Sequence, residues 1–575
     1  VITAPAPRPA AAPRAEACFF HGDDRARFGW VHRPAAPASG TALVIVPPFG
    51  YEAICAHRAL RHLAEAAAGA GVLAVRFDLD GTGDSAGDDL ERGRLDAWLA
   101  SIDDACELAR ASGAERIVLA GVRLGATLAA IAGSRRRDVA GLVAIAGVAA
   151  GKAYVREARA LQQQLALAPP PPGVPALPED VHELVGFALP GELRTALAQT
   201  DLAAHRPAPA VLLIDRDDLP GNTKYADALR SLGSAVEQVR LPGYVEMMLD
   251  PHRAIVPQAI VDATVAFAGA RPAAGTQPAR KLRIASHAEI EAVTEELVAI
   301  DDCLVGVVTR LRTPSRRAIV LLNAGGVYRV GPNRLHVAVA RRLASRGDLV
   351  LRVDLSGIGD SRPRPGAAEN VVYSDHAVAD VAACVAWARR EGAREVAVVG
   401  LCSGAYHALK AAVAGQPIDT VVPINPLTFF YKPGMPLDFA AFRVTTDAQR
   451  YGKNLRSAES WRKLLRGDVD VGRVARVVAE RARALAEHRA RELARRLRLP
   501  LRDDLGSELY SLRRAGVAVR FIFAGDDPGR AMLVEQGGSA AARLSITVID
   551  GPDHTFTPRW SHPLLLDAIA RAVGA

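Results

Sequence analysis

Residues 395–412 read "EVAVVGLCSGAYHALKAA". An apolar, strand-like run meets a glycine turn and then an alanine-rich segment with helical character. A strand that reverses directly into a helix holds the residue at its apex in a strained conformation, so small residues are needed on both sides. In Gly400-Leu401-Cys402-Ser403-Gly404 only Cys402 has glycines two before and two after it. Ser403 lacks that frame, because Leu401 stands two before it. The register therefore puts a thiol at the apex and a helix N-terminus, with its dipole and free N–H groups, beneath it. A free cysteine is otherwise most often a small buried residue. That is the role expected for Cys106 and Cys384, which fall in helical patterns.

Working outward, the stretch has a counterpart. "RIVLAGVRLGATLAA" from Arg116 matches "EVAVVGLCSGAYHAL" from Glu395. Upstream, "HRALRHLAEAAAGAGVLAVRFDLDGTGDSAGD" from His57 matches "NRLHVAVARRLASRGDLVLRVDLSGIGDSRPR" from Asn333. Both read as amphipathic helix, short apolar strand, then an Asp-x-x-Gly-x-Gly-Asp-Ser turn. A repeat of this length means two duplicated domains, each with enough elements for its own core. Strand-like runs such as "ALVIVPP", "GLVAIAG", "AIVLLNA" and "TVVPIN" are apolar without alternation and are separated by helical patterns. That texture predicts an α/β fold: in each copy a mostly parallel sheet flanked by helices on both faces. "CFFHGDDRARFGWVHRP" and "ELVAIDDCLVGVVTRLRTP" predict antiparallel lead-in hairpins. The expected divisions are a disordered Ala/Pro-rich leader over 1–14, a first domain over 15–269, a linker over 270–284 and a second domain over 285–575. Within the second, residues 427–515 are too long for a simple connection and predict a helical cap insertion.

Both copies resemble α/β-hydrolases. The resemblance is to the serine-aminopeptidase-like hydrolases found beside bacterial exopolysaccharide and secondary-metabolite genes. It is carried by "NAGGVYRVGPNR", "RVDLSGIGDS", "GLCSGA" and "GPDHTFTP" in the second copy, and by "RFDLDGTGDS" and "GVRLGATLA" in the first. In that family the nucleophile is serine; here cysteine stands in its place. The resemblance implies an acid and then a base downstream of the nucleophile. "AVRFIFAGDDPGR" offers Asp527, immediately before a proline, as the acid, with Asp526 as the fallback. "SITVIDGPDHTFTPRW" offers His554 as the base. His554 would take the Cys402 proton while Asp527 fixes the imidazole tautomer. The oxyanion would be held by the backbone N–H of Ser403 and by that of Gly325 or Gly326.

The first copy departs from this pattern. Its turn, Gly121-Val122-Arg123-Leu124-Gly125, places Arg123 at the apex, and Tyr244 and Val245 occupy the region of the base. Only the acid region, Asp217-Asp218, persists. A non-catalytic domain is expected, with Arg123 as a candidate site for a carboxylate or phosphate.

The chain has 575 residues, half of them apolar, and a net charge of +8. No apolar run is long enough for a transmembrane helix, and no signal-peptide pattern opens the chain. Six scattered cysteines with no close pair suit a reducing cytoplasm and exclude a zinc or redox motif. No metal or cofactor is expected. The insertion is arginine-rich, and its basic excess is about that of the whole chain. No nucleic-acid-binding module accompanies it. These features predict acyl transfer through an acyl-Cys402 intermediate, as a thioesterase, acyltransferase or cyclase in a biosynthetic pathway. The donor would be an acyl thioester on an acidic carrier protein or coenzyme A, docking on the basic cap. The alternatives are an ordinary ester hydrolase or peptidase using cysteine, and a non-catalytic binding scaffold.

Overall fold

The computed structural model describes residues 14–35, 39–165, 167–270, 280–435 and 501–574, with isolated positions in 275–278 and 491–497. Residues 1–13 of the expected leader and 436–490 of the expected basic insertion lie outside the described residues. Two nine-stranded sheets organise the chain. The first runs, in spatial order, Ala235–Arg240, Ala210–Asp215, Val139–Ile145, Arg116–Val122, Thr41–Val46, Leu73–Phe77, Arg27–Arg33, Arg14–His21 and Arg283–Ala285. The second mirrors it, from Ser545–Ile549 through Ala518–Ala524, Thr420–Ile424, Glu395–Leu401, Arg317–Leu322 and Leu349–Val353 to the lead-in strands Val305–Arg310, Val293–Ala299 and His287–Ile290. In each sheet the strands of the main body pair in parallel and the lead-in strands pair antiparallel. This is the α/β architecture expected from unbroken apolar strands, which need helices on both faces to bury them. Cys106 and Cys384 are fully buried in the helices Arg94–Ala111 and Ala377–Arg390.

Two boundaries differ from the sequence reading. Arg283–Ala285 is not linker or second domain: it adds antiparallel to Arg14–His21 as the last strand of the first sheet. The helix Leu505–Arg514 is not part of a cap. Leu505, Leu509 and Leu512 are buried in the core of the second unit, against the sheet. Its charged outer face made it read as a continuation of the basic insertion.

The repeated Asp-x-x-Gly-x-Gly-Asp-Ser turn is built the same way twice. Asp84 N–H donates to Asp78 Oδ2 at 2.9 Å, and Asp360 N–H to Asp354 Oδ2 at 3.1 Å. The Ser85 and Ser361 hydroxyls donate to the Asp78 and Asp354 carbonyls and accept from Phe28 and Val305 N–H of the lead-in hairpins. Gly83 and Gly359 have φ of 50° and 56°, and a Cβ on either would strike the Asp78 or Asp354 carboxylate. These two turns face each other across the contact between the units. Arg76 of the first reaches Asp360 of the second at 2.5 Å, and Arg352 of the second pairs with Asp84 of the first. Arg329 bridges Asp84 at 2.7 Å and Asp360 at 2.7 Å. Arg334 donates to the carbonyls of Gly81, Gly83, Ser85 and Gly87.

Candidate active site

Cys402 sits where the central strand Glu395–Leu401 passes into the helix Ser403–Val413. Its φ is 58°, a left-handed conformation that only a tight turn imposes on a residue with a side chain. The framing glycines are sterically required. A Cβ on Gly400 would lie 2.1 Å from the Gly404 carbonyl carbon, and one on Gly404 would lie 2.6 Å from the Asn323 carbonyl oxygen. The first copy keeps this geometry: Arg123 has φ 53°, and Gly125 abuts the Pro47 carbonyl in the same way.

Asp527 and His554 come from the loops after the last two strands of the sheet, Ala518–Ala524 and Ser545–Ile549. His554 Nδ1 lies 2.6 Å from Asp527 Oδ2, which leaves Nε2 as the nitrogen for Cys402, which lines the same cavity and acts on the ring electrostatically. Burial disfavours the charged imidazole, but the Cys402 sulfur and the Asp527 carboxylate outweigh it and raise the pKa to about 10. Asp527 also caps the helix Pro528–Gly537, its Oδ1 accepting Gly529 N–H at 2.8 Å. Asp526 is exposed, so geometry selects its neighbour over this fallback. Asn425, which the sequence reading missed, is wholly buried and fixes the histidine loop. Its Nδ2 donates to the His554 carbonyl at 2.7 Å, and its Oδ1 accepts Ala524 N–H at 2.9 Å.

The loop 323–326 lies beside the thiol, and here one expectation is corrected. Gly325 N–H donates to the Ser403 hydroxyl at 2.9 Å, so it is not the free donor that was one of two alternatives. Gly326 is the remaining candidate on this side. The Ser403 N–H stands at the first helical position, where no carbonyl one turn back exists to take it. Ser403 thus has a second task, since its buried side chain ties the glycine loop to the helix.

Arg123 also differs from expectation. Its guanidinium pairs with Glu52 at 3.0 Å and with Glu157. The anion it binds comes from its own domain, and the charge that would attract a ligand is already matched.

Cys402, His554, Gly325 and Gly326 line one cavity of about 310 Å³, predominantly apolar. Tyr373 lines it too, and its buried hydroxyl has no hydrogen-bond partner among the described residues. The wall facing the second unit's residues is formed by Tyr51, Ile54, Val185, Asp250, Pro251 and His252 of the first. His252, several residues after Tyr244 and Val245 in the first copy, stands in the cavity of the other. No sequence signal within one repeat points to these residues, because the cavity is assembled between repeats. Among the described residues, no group of three or more His, Cys, Asp or Glu side chains is placed to hold a metal ion, and no helix is long and apolar enough to cross a membrane.

No curated protein matches the chain. Among solved structures it is similar to the ferulic-acid-bound Est1E of Butyrivibrio proteoclasticus (19% identity, 43% of this chain and 98% of that one, TM-score 0.34). It is also similar to an esterase of Pyrococcus furiosus (13%, 44% and 90%, 0.32) and a proline iminopeptidase of Mycobacterium smegmatis (16%, 44% and 100%, 0.30). Residues 319–568, which contain the thiol, the carboxylate and the imidazole, match the model of the alpha/beta hydrolase family.

Proposed function

We propose that the second unit is an acyl-transfer enzyme that works through a thioester on Cys402. The observation that carries this reading is a thiol on a strained turn that shares one cavity with a histidine whose Nδ1 meets a buried carboxylate. In the first half-reaction the Cys402 proton passes to His554 and the sulfur attacks the carbonyl carbon of the donor. The oxyanion takes hydrogen bonds from the N–H groups of Ser403 and Gly326. His554 then returns the proton to the departing group, leaving acyl-Cys402. In the second, His554 takes a proton from the acceptor, the acceptor attacks, and the thiol is released. Asp527 holds the imidazole in the tautomer that presents Nε2 and stabilises its cation.

A thiol favours an acyl thioester as donor, because exchange of one thioester for another is nearly neutral in free energy. A phosphopantetheine arm of a carrier protein or coenzyme A would deliver such a group. The matched hydrolase family supports a second reading, in which water is the acceptor and the donor a carboxylic ester or peptide. Intact-protein mass after incubation with a panel of acyl thioesters and carboxylic esters separates these. Acyl transfer requires an adduct of the acyl mass on the native protein and none on Cys402→Ala. Rapid ester turnover with no thioester adduct would favour the second reading, and neither adduct nor turnover would sink both.

A further inference from the structure

The cavity above Cys402 is completed by a hairpin of the other unit. Strands His182–Leu184 and Phe187–Leu189 pair with Leu184 opposite Phe187, leaving the two-residue turn Val185-Gly186. Both turn residues are left-handed, with φ of 49° and 82°. Such turns favour Asn-Gly or Asp-Gly, and a β-branched residue is among the worst choices for the first position. Gly186 is there for contact with the second unit: a Cβ would lie 2.4 Å from the Asn333 side chain and 2.7 Å from the Thr557 carbonyl oxygen.

The hairpin is also tied down around its tip. Glu183 Oε1 accepts Arg559 N–H at 2.7 Å. Asp89 accepts Ala188 N–H at 2.7 Å and pairs with Arg559 at 2.8 Å. The segment upstream of the hairpin is held too, with Trp560 Nε1 donating to the Ala168 carbonyl at 2.8 Å. The loop 250–252 presses on the same site from another side, since a Cβ on Gly326 would meet His252 N at 2.8 Å. Thus a rigidly anchored turn carries a valine against its own local preference, and that valine lines the cavity holding Cys402 and His554. Local strain that persists in an over-determined setting points to a use for the strained side chain.

We infer that the first unit is the acyl-selecting half of the active site. Val185, with Ile54 and Pro251, forms the apolar wall that limits the aliphatic acyl group reaching Cys402. The cavity volume, about 310 Å³, stands at the small end of the usual range for small-molecule sites, about 300–1,000 Å³. One side chain is therefore a large part of its size. This inference rests on the acyl-Cys402 reading for its substrate class, but the wall itself is testable without turnover.

The test uses n-alkyl methanethiosulfonates of increasing chain length on the full chain. Each transfers its alkylthio group to the Cys402 sulfur as a mixed disulfide and releases methanesulfinate, and the rate is followed by intact mass with peptide mapping. The variants are Val185→Gly and Val185→Asn, which relieve the left-handed strain and should melt no lower than the native chain, and Val185→Phe, which fills the wall. The long-to-short rate ratio should rise by about tenfold or more in Val185→Gly and fall comparably in Val185→Phe, the usual effect of a methylene-sized change in an apolar pocket. Ratios unchanged in all three variants overturn the inference, as does a Cys402 that no chain length reaches. Failure of the acyl-transfer reading looks different: the alkylthio ratios shift with Val185, yet no acyl thioester leaves an adduct.

Discussion

At the scale of single residues, His554 is the most informative group. Its pKa of about 10 is held up by the Cys402 sulfur and Asp527 against the cost of burial. Removing the sulfur in Cys402→Ala should lower it towards the ordinary histidine value near 6.5. An NMR titration of the ring in both proteins checks this, and an unchanged titration would show that the thiol does not share a proton with the imidazole. The sign for stability follows from the same shift. A base whose pKa is raised on folding contributes stability that is complete below about 6.5 and disappears as pH rises through about 10. Thermal melts of the native chain should therefore fall more steeply than those of Cys402→Ala between neutral pH and pH 10. Ser403 and Tyr373 are separable from the nucleophile. Ser403→Ala keeps the backbone N–H but frees the Gly325 loop, a loss of one hydrogen bond worth about 1 kcal/mol, so turnover should drop by about tenfold or less while Cys402→Ala abolishes it. Survival of activity in Cys402→Ala would put the nucleophile elsewhere. Tyr373→Phe removes a buried hydroxyl with no partner among the described residues, and should raise the melting temperature while slowing turnover. A variant that is both less stable and fully active would show that the hydroxyl is satisfied and idle.

At the scale of elements, the turn at Cys402 was legible because sterics, not chemistry, dictate its glycines. The same sterics preserve the turn around Arg123, where no nucleophile remains. The strands themselves and the positions of His554 and Asp527 were legible for a related reason, since each of the two residues follows an apolar strand whose pattern is local. Three features were not. The helix Leu505–Arg514 reads as basic because its outer face is charged, and only packing shows that its leucines belong to the core. The Gly325 donor could not be ruled out from sequence, because the bond to the Ser403 hydroxyl joins residues 78 positions apart. The hairpin at Val185 is two three-residue strands, too short for periodicity to register. The duplicated turns give a prediction at this scale. Gly83→Ala and Gly359→Ala each force a Cβ into an aspartate carboxylate at positive φ, and each should cost more than about 1 kcal/mol in a denaturant melt. Gly392→Ala, also at positive φ but with open space around it, is the control for φ alone.

At the scale of the whole molecule, the two units meet through a contact in which each lends the other the same residues. Arg76 and Arg352 are equivalent positions of the repeat, and so are Asp84 and Asp360; each arginine reaches the other copy's aspartate. This is the arrangement a two-fold dimer would have, now within one chain. Arg352 and Asp84 are completely buried, and burial alone would push Asp84 up, but Arg329 and Arg352 hold it below the usual carboxylate range. An acid held down by its partners stabilises the contact above the ordinary carboxylate pKa and loses that effect only as pH falls through its lowered value. The contact should therefore persist at mildly acidic pH. Breaking one partner is a different matter, because a buried charge left alone costs about 3–5 kcal/mol, whereas replacing both by apolar groups of similar volume is nearly neutral. Asp84→Leu and Arg352→Met should each destabilise strongly, and the double variant should lose less than the sum, recovering only part because Arg329 also pairs with Asp84 and Arg352 with Glu295, read as a double-mutant cycle in chemical denaturation. Additive losses would mean that Arg329, not Arg352, carries the contact. Removing residues 1–270 removes Arg76 and Asp84 together with Val185, Ile54 and Pro251. The remaining fragment would expose the arginines of the contact and lose a wall of the cavity above Cys402. It should aggregate in size-exclusion chromatography, and a soluble fragment that labels at Cys402 with native chain-length selectivity would show that the second unit needs neither the contact nor the wall.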